Sequence, residues 1–140
     1  MTICPSVASL ALLGVFLAFM ATGIIVIAVT YLRGAIYLSH LQELILAMLA
    51  VYSVPLGTIL GGIFGQRSDL DRPTPNFAFW AALAVAAIWN LLLFARVLIF
   101  CVASDDSVAD LKSYIGVVAA ASSFLVTGAL AYFFTKKEPN

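Results

Sequence analysis

Charge is what this chain has least of. Asp, Glu, Lys and Arg make up only 10% of 140 residues, seven of each sign, for a net charge of zero. A soluble domain of this length would need far more polar surface to stay dispersed. Histidine occurs once, as His40, and cysteine twice, as Cys4 and Cys101. No metal-ligand spacing joins these three, so neither a metal nor another cofactor is expected. Paired mid-membrane acids and a nucleophile with an adjacent base are also missing, so the chain is expected not to be an enzyme. The period-two alternation of a transmembrane barrel is absent too. No Lys or Arg precedes the first apolar run, which is much longer than the about 7–15 residues of a signal-peptide core, so it is expected to be a retained helix.

What is abundant is hydrocarbon. The hydrophobic share is 64% and the mean hydropathy +1.10. Four stretches are nearly free of charge: Val7–Leu32, Leu41–Phe64, Phe77–Val102 and Ser113–Phe134. A helix rises ~1.5 Å per residue and the hydrocarbon core is ~30 Å thick, so ~20 apolar residues span it. The sequence therefore predicts an all-α membrane protein, a four-transmembrane-helix bundle forming one domain over residues 1–140. Its helices are placed at about 7–32, 41–64, 77–102 and 113–134.

Orientation follows from Lys and Arg near the helix ends. One side carries four, Arg67, Arg72, Lys136 and Lys137, and the other carries Arg33 and Lys112. This bias predicts both termini in the cytoplasm, in a plasma membrane and most simply a bacterial inner membrane. Cys4 and Cys101 then face opposite sides and cannot pair within one chain. Cys101 could join two subunits if its side were oxidising.

The connections are short. Ser39 followed by Gln42 has the capping-box pattern, which would start the second helix near His40. Ser107 with Asp110 repeats it and would start the fourth near Val108. Between the second and third stretches, "GQRSDLDRPTPN" carries Arg67, Asp69, Asp71 and Arg72. It reads either as a solvated turn or as a docking surface for a cytoplasmic protein.

Three features stand out from the apolar background. Gly57, Gly61 and Gly65 recur every four residues in the second helix, a pattern that lets two helix backbones approach closely. The contact could lie within the bundle or between subunits. Weaker stripes of small residues run through the other helices: Gly14, Ala18 and Thr22; Ala78, Ala82, Ala86 and Asn90; Ala119, Ser123, Thr127 and Ala131. Pro55 lies inside the second helix, where it removes one backbone hydrogen bond.

The third feature is a small set of polar residues in or near the spans. Arg96 sits in "WNLLLFARVLIF", ~9–10 Å below the outer end of its helix. Glu43, with Gln42 and His40 beside it, begins the second helix at the same level and is the expected ion partner of Arg96. Asn90 lies near mid-membrane and points ~120° away from Arg96, so the two need not share a site. Glu43, Arg96, Asn90 and His40 are thus the candidates for an intramembrane polar pair or a water-filled vestibule.

The function expected from this pattern is assembly. The chain would serve as an oligomeric membrane anchor, sensor or scaffold for a separately encoded cytoplasmic partner, with the bilayer and copies of itself as further partners and no nucleic acid. The alternatives are an oligomeric ion channel or membrane-permeabilising pore, as in a bacterial defence or toxin system, and a small transporter subunit.

Overall fold

Backbone N–H and C=O groups that cannot reach water must bond within the segment, which leaves the helix as the available form for long apolar stretches. The computed structural model describes residues 5–65, 76–102 and 107–135, with all of their side chains except those of residues 5, 6, 76, 119–123 and 135. These residues are all-α. Four helices follow one another: α1 (Pro5–Leu32), α2 (Leu38–Gly65), α3 (Asn76–Val102) and α4 (Val108–Thr135). Three of them, over Val7–Leu32, Leu38–Gly65 and Phe77–Val102, are long and apolar enough to cross a membrane.

The helix ends have local causes. At the end of α1 the chain turns through Gly34, whose φ of 76° is the left-handed conformation that glycine adopts without a Cβ clash. The Gly34 N–H donates to the Tyr31 carbonyl at 2.8 Å and the Ala35 N–H to the Thr30 carbonyl at 3.2 Å, which together make a Schellman cap. The α2 helix starts at Leu38, ahead of the expected site. The Leu41 N–H already donates to the Tyr37 carbonyl, so Ser39 lies inside the first turn instead of capping it. The second box does form: the Asp110 N–H donates to Ser107 Oγ at 3.1 Å, and Ser107 Oγ donates to Asp110 Oδ2 at 2.7 Å. Accordingly α4 begins at Val108.

The helices pack as a four-membered ring. α1 touches α2 and α3, and α4 touches α2 and α3, so α1 faces α4 and α2 faces α3 across the diagonals. Each helix contributes one stripe of buried residues at spacings of three and four, the helical period. Leu12, Phe16 and Ile27 come from α1, Leu44, Met48, Tyr52 and Ile59 from α2, Ala86, Leu93 and Val97 from α3, and Leu111, Ile115 and Leu130 from α4. The outer faces are apolar as well: Leu10, Ile25, Leu46, Ile88, Leu92, Phe124 and Leu125 are all exposed. A helix apolar on every side belongs in lipid, where the outward face meets acyl chains.

The small-residue stripes divide in an unexpected way. Ala78, Ala82, Ala86 and Asn90 of α3 are all buried, so the weaker stripe is a packed helix face. The glycine run points the other way. Gly57, Gly61 and Gly65 are exposed, and a Cβ built on any of them meets nothing within 4 Å. They therefore do not mediate packing within the bundle. That role falls to Gly62, whose added Cβ would come 2.5 Å from the Phe134 ring of α4, and to Gly23, where it would come 2.7 Å from Met48 Cε of α2.

Candidate functional site

At the middle of the bundle a polar pair closes the α2–α3 diagonal. Tyr52 is near the centre of α2 and Asn90 near the centre of α3, so their depths match. The Tyr52 hydroxyl donates to Asn90 Oδ1 at 2.7 Å, and Asn90 Nδ2 donates to the Ala86 carbonyl at 2.8 Å. Both residues are fully buried. A long aromatic side chain is needed here, because backbones on a diagonal are too far apart for two short ones to meet.

Aromatic rings surround this bond. The Tyr52 ring meets Trp89 edge-on at 5.1 Å and Phe16 at 6.3 Å, and Phe16 and Trp89 are 5.8 Å apart. Three helices thus fill the axis at mid-depth. Trp89 is 2% exposed, and its Nε1 has no hydrogen-bond partner among the described residues. Sequence reasoning picked out Asn90 but passed over Tyr52. The available signal was depth: Tyr31, Tyr37, Tyr114 and Tyr132 fall near helix ends, whereas Tyr52 falls mid-helix, level with Asn90.

The charged groups gather at the end of the bundle where α2 and α4 begin and α3 finishes. Lys112 Nζ donates to Glu43 Oε2 at 2.8 Å, and both side chains are about half exposed. This departs from the expected Glu43–Arg96 pair for a topological reason: α2 and α3 are diagonal, while α2 and α4 are neighbours. The matching signal was again depth, since Glu43 and Lys112 each lie in the second turn of a helix starting at this end. Arg96 turns towards α4 instead, with its guanidinium carbon 5.6 Å from the Tyr114 ring centroid, within cation–π range. Burial separates Arg96 from Asn90, one half-buried at the bundle's flank and the other in its core, in keeping with the ~120° between them. His40 stands apart from all three, its ring edge-on to Tyr37 at 5.6 Å.

No group of three or more His, Cys, Asp or Glu side chains able to hold a metal occurs among the described residues. Cys101 is a free thiol whose Sγ lies 2.9 Å from Thr30 Oγ1, and that hydroxyl donates to the Val26 carbonyl at 2.9 Å. Cys4 and the segment with Arg67, Asp69, Asp71 and Arg72 lie outside the described residues.

One groove opens on the flank. It lies between α3 and α4, has a volume of about 270 Å³, and is lined by Val85, Ile88, Trp89, Leu92, Leu125 and Val126. No protein-family model matches this chain, and no match is found among curated proteins or solved structures.

Proposed function

We propose that the chain is a non-catalytic, four-span membrane protein that acts by assembly. It would lie in a bacterial inner membrane with both termini in the cytoplasm. Copies would associate through the outward glycine face of α2. The assembly would hold a separately encoded cytoplasmic protein at the turn carrying Arg67, Asp69, Asp71 and Arg72. The fourth span is α4: its 28 residues reach ~42 Å, more than the ~30 Å hydrocarbon core. Its exposed Val117, Phe124 and Leu125 suit lipid.

The observation that carries this reading is the empty space over Gly57, Gly61 and Gly65. A bundle that already fills its core has no internal use for three glycines on its outer face. In a bilayer, such a strip lets a second helix approach to backbone contact, where dispersion and weak Cα–H···O bonds accumulate. The packed axis of Phe16, Tyr52, Trp89 and Asn90 supports an assembly role over a channel through one chain.

Replacing Gly61 with Leu tests the proposal cleanly, because the new side chain meets nothing in its own bundle. The intact mass of protein extracted in mild detergent should fall from an oligomer to the 14.9 kDa monomer, with the helical spectrum unchanged. An oligomer that survives the substitution, or a wild-type chain that is already monomeric, would refute assembly through this face.

A further inference from the structure

We propose that the α3–α4 groove binds one acyl chain of an anionic phospholipid, with the phosphate held by Arg96. The groove floor and Arg96 are continuous. At ~100° per residue, Val85, Leu92 and Arg96 fall within ~40° of one line along α3. Arg96 lies one turn beyond Leu92, on the side that faces α4, where Tyr114 lies beneath its guanidinium. From Val85 to Arg96 the helix rises ~16 Å, close to half of the ~30 Å hydrocarbon core. A chain whose phosphate met Arg96 would thus run to about mid-membrane before leaving the groove.

The chemistry of the walls fits that occupant. Val85, Ile88, Leu92, Leu125 and Val126 offer only hydrocarbon, and the Trp89 ring forms a flat floor. The charge stands at one end, where a guanidinium with five N–H donors can reach up to a phosphate while its stem stays in the groove. An arginine at this depth is costly unless something anionic or polar meets it, and a phosphodiester provides charge and acceptors together. The inference rests on α4 crossing the membrane, as proposed above, but not on self-association.

Trp89 supplies the probe. With Trp80 replaced by Phe, it is the only tryptophan left. The variant is placed in phosphatidylcholine vesicles containing a minority of lipid brominated on its acyl chains, as either phosphatidylglycerol or phosphatidylcholine. Bromine quenches indole fluorescence only at close range. Brominated phosphatidylglycerol should quench more strongly, matching about fivefold enrichment in the groove. Arg96→Gln should abolish the difference, and Arg96→Lys, which keeps the charge, should retain it. Equal quenching by the two lipids in the Trp80→Phe protein overturns the proposal, as does a preference that survives Arg96→Gln. Absence of quenching by either lipid overturns the proposal together with the membrane placement of α4.

Discussion

A single hydroxyl separates tyrosine from phenylalanine, and at position 52 that hydroxyl is the only described partner of Asn90 Oδ1. Its removal leaves a buried acceptor unpaired, which costs ~1–3 kcal/mol in a protein interior, while hydrogen bonds between membrane helices average ~0.6. We expect Tyr52→Phe to destabilise the bundle by ~1 kcal/mol, measured by unfolding in a denaturing-detergent titration. Adding Asn90→Leu should recover most of the loss, because both polar partners are then gone. Recovery distinguishes a hydrogen bond from mere packing of the ring, which neither change removes. Gly62 and Gly61 make a similar contrast one residue apart. A Cβ on Gly62 would come 2.5 Å from the Phe134 ring, whereas one on Gly61 meets nothing. Gly62→Leu should therefore cost ~1–3 kcal/mol in the same titration, the range for overpacking a filled site. Gly61→Leu should leave monomer stability unchanged, and equal losses at both positions would contradict the helix rotation described here.

At the scale of the element, α1 and α2 are joined by a turn that depends on one residue's backbone. Gly34 at a φ of 76° completes the Schellman cap, and an L-residue in that conformation costs ~1–2 kcal/mol. Gly34→Ala should lower stability by ~1 kcal/mol even though a Cβ there meets no other atom. A neutral result would mean that the turn adopts another conformation. How far the elements could be read from sequence follows from the same physics. Length and hydropathy placed the apolar helices, since burying backbone in hydrocarbon leaves few alternatives. The capping box at Ser107 was legible because its bonds are local. The one at Ser39 misled, because Tyr37 and Leu38 extend α2 by a further turn that the motif does not encode. Helix rotation was the least legible feature. In soluble proteins the polar face reveals the core face, but here Leu46 on the outside and Leu44 on the inside look alike. The glycine run drew attention as a packing motif, yet the alanine stripe of α3 is the one that packs. Likewise Glu43 was assigned to Arg96 because sequence order does not say which helices are neighbours. Tyr52 and Asn90 could have been paired by depth alone.

The whole molecule carries a weak vectorial signal. If it is embedded as proposed, four cations, Arg67, Arg72, Lys136 and Lys137, stand on one side, against Arg33 and Lys112 on the other. Lys112 counts for less than its number suggests, because its ammonium is already engaged with Glu43 at 2.8 Å. Orientation is set by positive charge in short loops near the helix ends, and a difference of two is within reach of mutation. Arg67→Gln with Arg72→Gln leaves two cations on each side, so the insertion bias disappears while no described contact within the bundle changes. We expect the wild-type chain to carry a C-terminal reporter on the cytoplasmic face, and the double variant to distribute the reporter between both faces. Protease protection of the reporter in sealed vesicles measures the split. Restoring the imbalance by also replacing Arg33 with Gln should return the reporter to one face, at no cost to the Gly34 cap that follows it. A double variant that remains wholly in its original orientation would show that the helices themselves, not the loop cations, hold the direction of insertion.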